Sequence, residues 1–554
     1  MRLPNEKFKK LNSKIFIIMI PLILSAFTHL WNIDGFPSIY RDEDHYLRKA
    51  MHVLRGLGPQ EGPTELLSYP QTTYTHPYFG QLFLASVLGS FGYPDSLNPT
   101  TTFTSIKEVF MVPRLLMGLL AILDTFLLFK IAERRYNMTI GLVASILFAV
   151  MPLTWIIRRI WLEPIQLPFI LASILLALYI TNPNLAEKRK SIPIVLLSGT
   201  LLGLAIFTKI PVVSLIPLVG FMIYSNSKNF KLIGLWIIPV LLIPLLWPMY
   251  AIFQGELNEW ITSMYWQIER QNSGLFSSIE KLFNIDPILV GFSFIGLAYA
   301  VVRKRDLFLI LWFVPFIMFQ LVSSYVQYWH LIPIYPALCI GCAILITDVS
   351  KIFRSQRIKN LLPYSLLTII GVYGIIVTSI LISLNLTSFH YEVISVLGNE
   401  IQKANKITTE SSSYNNKDNN IHSVTVLGNN YFLWFPKYIL DKNGINEYKN
   451  YYHHGDIKTN KIVLAVGDDF IDEMTRYNKS SINIDELSVL LYRSNFTSRI
   501  EENQSAVPHR NIYPFNSLID LDPIATTSVE IRANLAHDVT KHIQTDNVTQ
   551  YGKS

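Results

Sequence analysis

From Ile15 to Asn385 the chain alternates apolar runs of bilayer-spanning length with polar gaps, and every second gap is basic. Only a helix or a closed barrel satisfies its backbone groups in lipid, and a crossing helix needs about 17–25 apolar residues. The runs are Ile15–Trp31, Leu115–Ile131, Met138–Ile157, Ile160–Ile180, Ile192–Phe207, Ile210–Tyr224, Leu232–Phe253, Asp286–Val302, Leu307–Val322, Trp329–Thr347 and Leu361–Asn385. Ile192–Tyr224 is too long for one helix, and Pro211 breaks it by disfavouring helix at Ile210. The pattern predicts about eleven crossings. Charged residues make up 16% of the 554, against roughly 25% in a soluble domain, so the fold class is an α-helical polytopic membrane protein.

The charges orient the chain. Lys9, Lys10 and Lys14 precede the first run, and the even-numbered exits carry Arg134/Arg135, Lys188/Arg189/Lys190, Lys228/Lys231, Arg303/Lys304/Arg305 and Lys351/Arg354/Arg357/Lys359. The positive-inside rule makes all of these cytoplasmic, with the N-terminus. The net charge of +7 therefore marks loops rather than a nucleic-acid partner. The first run continues past Ser25-Ala26 and is expected to be a retained helix. An odd count leaves the C-terminus outside, in a multi-pass cell membrane or an endoplasmic-reticulum-type membrane. The transmembrane domain is expected over 1–385, with long outer loops at 32–114 and 254–285. An extracytoplasmic α/β module is expected over 386–500, with strands Ser423–Leu427, Lys461–Val466 and Glu486–Tyr492 and a helix at Tyr431–Leu440. Residues 501–554 read as an irregular tail. Sequons at Asn385, Asn478, Asn495, Asn503 and Asn547 fit an external tail, although an Asn- and Ser-rich segment also makes them by chance. Cys339 and Cys342 share one apolar run and imply no disulfide framework.

Just beyond the first run stands Arg41-Asp42-Glu43-Asp44-His45-Tyr46, and thirty residues on stands Thr75-His76-Pro77-Tyr78-Phe79-Gly80-Gln81. Asp42 to Leu57 reads as an amphipathic helix on the membrane, with Leu47, Ala50, Met51, Leu54 and Leu57 apolar and Arg48, His52 and Arg55 opposite. Acidic residues in a first turn also cap a helix and favour its dipole, which accounts for them without any chemistry. Arg114, Arg158, Arg159 and Lys209 fall at the outer ends of runs, at the depth of a lipid phosphate, where snorkelling to headgroups is the plainer reading of each. A carboxylate at the outer leaflet has the chemistry to deprotonate an acceptor hydroxyl, and fixed cations stabilise a departing phosphate.

Asp42-Glu43-Asp44-His45-Tyr46 resembles the Asp-Glu-x-His-Phe motif in the first external loop of protein O-mannosyltransferases, and His76-Pro77-Tyr78-Phe79-Gly80-Gln81-Leu82 resembles their His-Pro-Pro-x-Gly-Lys-Leu motif. Tyr78 and Gln81 depart from that pattern. Pro113-Arg114-Leu115 with Gly118, the text around Gly199 and Gly203 ending Phe207-Thr208-Lys209, and Tyr328-Trp329-His330-Leu331-Ile332-Pro333 also look like this superfamily. The lipid A aminoarabinose transferases share its layout, and together they form the GT-C class of polytopic glycosyltransferases. The resemblance implies transfer from a polyprenyl- or dolichyl-phosphate sugar, mannose by default, to an acceptor hydroxyl by a single inverting displacement. It also implies Asp42 as general base, Glu43 orienting substrate or donor, and Arg114 contacting the phosphate or bracing the loop. His76, Arg158, Arg159, Lys209 and His330 complete the expected donor-binding set.

No cofactor is expected to be required. A divalent metal on His45, His76 and Glu163 is the less favoured reading, since their spacing matches no tight ligand motif. The expected partners are the lipid-linked sugar, membrane lipid and an acceptor protein, glycan or lipid. A lipid-linked sugar transporter is the rival. It concentrates polar groups at the midplane, where this chain offers Asp124.

Overall fold

The computed structural model describes residues 4–59, 74–180, 185–270, 274–323, 325–413, 423–428, 433–440, 445–447, 461–467, 488–497 and 526–534. The apolar runs become helices. In chain order these are α1 (Pro4–Leu30), α2 (Arg41–Leu54), α3 (Phe79–Ser90), α4 (Phe103–Arg135), α5 (Met138–Val150), α6 (Leu162–Tyr179), α7 (Leu185–Thr208) and α8 (Ile216–Ser227). There follow α9 (Phe230–Gln254), α10 (Leu257–Glu269), α11 (Leu275–Ile285), α12 (Pro287–Val302), α13 (Leu307–Val322), α14 (Tyr335–Val349), α15 (Gln356–Ser383) and α16 (Ser388–Ser413). Polar residues in the gaps set their starts. Asn137, Asp286 and Asp306 accept from Ile140 N at 3.0 Å, Leu289 N at 2.8 Å and Phe308 N at 3.2 Å, capping α5, α12 and α13.

Among the described residues seven helices are long and apolar enough to cross a membrane, and nine if two bent pairs each count as one span. The pairs are α5 with the 3-10 turn Pro152–Arg158, bent by 66°, and α12 with α13, bent by 120°. The sequence count of eleven adds α1, whose 27 residues include the apolar stretch Ile15–Leu30, and takes α12 and α13, of 16 residues each and separated by the Arg303-Lys304-Arg305 turn, as two crossings.

Small residues bring the helices together. A Cβ on Gly199 or Gly203 of α7 would lie 2.4 Å from Trp236 O or 2.6 Å from Pro239 O of α9. This pair, four residues apart, lets two backbones touch, which is how helices associate where apolar burial gives no advantage over lipid. The break at Pro211 is also bridged by a side chain. Gln166 Nε2 of α6 donates to Lys209 O at 2.7 Å, just beyond the end of α7, and to Ala205 O at 2.6 Å, which also accepts from Lys209 N.

Helix α2 differs from its expected placement. Leu47, Ala50 and Met51 are buried, in one cluster with Leu84, Ala85 and Leu88 of α3. The Leu47, Ala50 and Met51 part of its apolar face is thus covered by protein, because α3 carries a matching stripe, while Leu57 beyond the helix end is exposed. Beyond α15 the strands β1 (Ser423–Gly428), β2 (Ile445–Glu447), β3 (Lys461–Gly467), β4 (Ser488–Thr497) and β5 (Thr526–Asn534) form one sheet, in the order β2-β1-β3-β5-β4. The pairs β1–β2 and β1–β3 are parallel, with Val426 opposite both Ile445 and Leu464, while β5 runs antiparallel between β3 and β4. The sequence reading placed no strand after residue 500, yet β5 lies there. Its Val529-Glu530-Ile531-Arg532 alternation spans too few residues to stand out. Phe435–Ile439 forms a single π-helical turn inside the expected helix.

Candidate active site

The first turn of α2 divides neighbouring acids between two environments. Glu43 is fully buried, and its carboxylate accepts from Tyr40 N (2.8 Å), Ile160 N (3.1 Å), Arg114 (3.1 Å) and Arg159 (3.2 Å). The bond to Tyr40 N is the capping interaction of α2. The arginines hold the rest of the loop. Arg114 also donates to Ile33 O (3.4 Å), Arg158 to Trp31 O (2.5 Å) and Arg159 to Ser38 O (2.6 Å). The Arg159 guanidinium lies 5.3 Å from the Trp155 ring centre and 5.4 Å from that of Trp161. Burial, followed by the Glu43 charge, pushes Asp44 well above the usual carboxylate range.

These contacts give four of the expected residues a structural part: Glu43, Arg114, Arg158 and Arg159 are enclosed in protein and bound to the loop. They brace the first loop, which for Arg114 was one of two expected roles.

The polar groups that do gather lie on the other side of α2. Asp42 is partly exposed, and its charge reaches Tyr46, one turn on, and Glu163 at the start of α6. Glu163 pairs with Lys209, and His330 Nε2 lies 4.0 Å from the same Glu163 oxygen. His76 interacts electrostatically with Lys209, Lys49 and Arg270, and its ring lies 6.4 Å from that of Tyr46. Burial first, then those three cations, holds the His76 imidazole well below its ordinary value, so it is neutral at pH 7. Burial first, then the Asp42 and Glu163 carboxylates, pushes the Tyr46 phenol well up.

Lys49 is buried, donates to Thr75 Oγ1 at 3.3 Å, and has no carboxylate within ion-pair distance among the described residues. Burial, and after it Arg48, brings its amine down to about 7. Arg270 stacks on Tyr325 at 3.8 Å and on Trp266 at 4.5 Å. The loop before His76 is tied to α10: Tyr74 N donates to Ser263 Oγ (3.2 Å) and Gln267 Nε2 to Thr75 O (2.9 Å).

Of the expected set, then, Asp42, His76, Lys209 and His330 come together, joined by Tyr46, Lys49, Glu163 and Arg270. Tyr46 and Lys49 were legible as the i+4 and i+7 neighbours of Asp42 on one helical face. Glu163 was weighed only as a metal ligand, and among the described residues no three His, Cys, Asp or Glu groups converge on one point. Nothing in the sequence marks Arg270, which is brought in at the end of α10. Asp124 is fully buried with neither oxygen hydrogen-bonded, well apart in α4.

The fold is that of polytopic membrane glycosyltransferases. It is similar to ArnT from Cupriavidus metallidurans in the apo state, with a TM-score of 0.50 and 12% identity over 84% of this chain and 95% of that one. It is similar also to the oligosaccharyltransferase AglB from Archaeoglobus fulgidus in complex with an inhibitory peptide and a dolichol-phosphate, with a TM-score of 0.50 and 9% identity over 79% of this chain and 64% of that one. The chain thus spans less than two thirds of the archaeal oligosaccharyltransferase. Residues 100–252 match the model of a family described as dolichyl-phosphate-mannose-protein mannosyltransferase. The chain resembles the GT-C superfamily glycosyltransferases of the O-mannosyltransferase and ArnT group. No curated protein matches it by sequence.

Proposed function

We propose that this protein is an integral-membrane glycosyltransferase. It moves a sugar, mannose by default, from a polyprenyl- or dolichyl-phosphate carrier to an acceptor hydroxyl at the outer face. The observation that carries this reading is the gathering of a partly exposed carboxylate, Asp42, with Lys49 and the cations Lys209 and Arg270 around a neutral His76. The match over residues 100–252 and the dolichol-phosphate in the AglB structure support a lipid-phosphate donor.

In this reading Asp42 takes the proton from the acceptor oxygen as that oxygen attacks the sugar's anomeric carbon. The bond to the carrier phosphate breaks on the opposite face, so configuration inverts and no enzyme nucleophile is needed. The leaving phosphate gains negative charge where Lys49, Lys209 and Arg270 converge, and the burial of Lys49 and Lys209 strengthens that attraction. Glu163 holds the Lys209 ammonium in place, and His76 and His330 offer hydrogen bonds without adding charge. No step is routed through a metal. The proposal includes eleven crossings with a cytoplasmic N-terminus, and an extracytoplasmic module built from α16 and the sheet.

The test is sugar transfer by purified protein in lipid, with polyprenyl-phosphate mannose and a Ser/Thr-rich peptide. Asp42→Asn should lower turnover by ~10²–10⁴, the range for loss of a general base, and leave thermal unfolding unchanged. Undiminished turnover in that variant overturns the mechanism.

A further inference from the structure

Helix α10 shows three separate faces. Leu257, Ile261, Tyr265 and Ile268 are all exposed, and at ~100° per residue they fall within about 80° of its circumference. Asn258, Glu259, Thr262 and Glu269 are also exposed and occupy the adjoining sector. The remaining sector faces protein. There Trp260 packs edge-on against Trp247 of α9 with ring centres 5.5 Å apart, and Ser263 and Gln267 bind the backbone of Tyr74 and Thr75. Arg270, at the end of the helix, reaches the cluster around His76.

A helix divided into an apolar exposed third, a polar exposed third and a protein-facing third fits one environment. It lies in the plane of a membrane surface with its flank against the protein. Two further observations identify the occupant of the apolar stripe as lipid. The stripe continues the lipid-facing side of α9, whose last turns expose Met249, Ile252 and Phe253 immediately before Gly255 turns the chain. It also carries Tyr265, an amphipathic ring of the kind enriched where acyl chains meet headgroups.

We propose that α10 is seated in the outer leaflet, and that this seating positions the His76 loop and Arg270. The link is mechanical: one rigid helix touches acyl chains on one side and holds Tyr74, Thr75 and Arg270 on another. Removing the lipid contact leaves α10 with an exposed apolar stripe and frees it to roll, loosening the bonds from Ser263 and Gln267 to the loop. The inference rests on the proposed glycosyltransferase only in what the loop serves, and its test reads no activity.

Nitroxide labels at Ile268→Cys and Thr262→Cys, in phosphatidylcholine vesicles with a minor fraction of phosphatidylglycerol, report the depth of the two faces; the native Cys339 and Cys342 are buried. The label at 268 should collide preferentially with dissolved oxygen, and that at 262 with a water-soluble nickel chelate. Equal access of the chelate to both sites overturns the seating. Hydrogen exchange over residues 74–76 reads the coupling. Ile261→Lys with Ile268→Lys should speed it at least tenfold in the same vesicles, and Thr262→Lys should leave it unchanged. Unaltered exchange in the double variant overturns the coupling.

Discussion

Replacing Glu43 with glutamine separates a brace from a substrate contact. The substitution keeps the shape and one acceptor oxygen but removes the charge that two buried guanidiniums share. Arg114 lies 3.1 Å away and Arg159 3.2 Å away, and both are essentially inaccessible to water. Breaking a buried ion pair by removing one partner is destabilising by about 3–5 kcal/mol, because the surviving charge stays buried and uncompensated. The amide NH2 also points a donor at partners that donate, and an unsatisfied buried N–H of Tyr40 or Ile160 adds about 1–3 kcal/mol. A loss of at least ~3 kcal/mol is therefore expected, a large part of the roughly 5–15 kcal/mol that holds a typical protein folded. Reversible unfolding in mixed detergent micelles measures it. Combining the change with Arg114→Met removes one of the two orphaned cations, so the double variant should recover part of the loss through a coupling of about 0.5–3 kcal/mol. If Glu43→Gln abolishes sugar transfer while its unfolding curve coincides with that of the parent, the brace is refuted and Glu43 touches substrate.

Two further outcomes follow from the same geometry. The folded value of about 7 for Lys49 lies below the ~10.4 of an unfolded lysine, so between these values the folded state binds fewer protons. Stability should then rise with pH across that window, by at most ~1.4 kcal/mol per unit, and Lys49→Met should flatten the rise; a pH-stability profile shared by the two proteins rejects a buried titrating amine. Gly203→Ala should be destabilising by about 1–3 kcal/mol in the same assay, because its methyl would meet Pro239 O at 2.6 Å, and an unshifted curve rejects the close α7–α9 contact.

How much of this was legible in the sequence depends on the range of the forces involved. Membrane helices are written locally, since a run of apolar residues must leave water whatever surrounds it, and the structure forms a helix on each run from Ile15 to Leu381. Breaks and caps are local too, as Pro211, Asn137 and Asp306 show. Burial of a polar residue is not local. Arg114, Arg158 and Arg159 stand at run ends, as phosphate-binding or snorkelling residues do. What encloses them is the loop 31–43 folding back over α4 and the Arg158–Ile160 segment before α6, together with Thr387, whose Oγ1 lies 3.4 Å from Arg114. Helix α2 likewise looked membrane-bound because nothing in its own residues announces α3.

Asp42 and Glu43 show where residue order stops informing. Adjacent residues on a helix differ in direction by ~100°, so a motif of consecutive acids cannot place both on one surface. The rotation of α2 decides which acid is enclosed, and three separate contacts fix that rotation. Leu47 and Met51 pack against α3, Glu43 locks onto α4 and onto Arg159 and Ile160 ahead of α6, and the Arg48 guanidinium sits 3.9 Å from the ring centre of Tyr438. With Glu43 held inside, Asp42, Tyr46 and Lys49 must emerge together on the side where Lys209, His76 and Arg270 lie. The paired acids therefore divide one task between them: Glu43 sets the angle of the helix, and that angle presents Asp42.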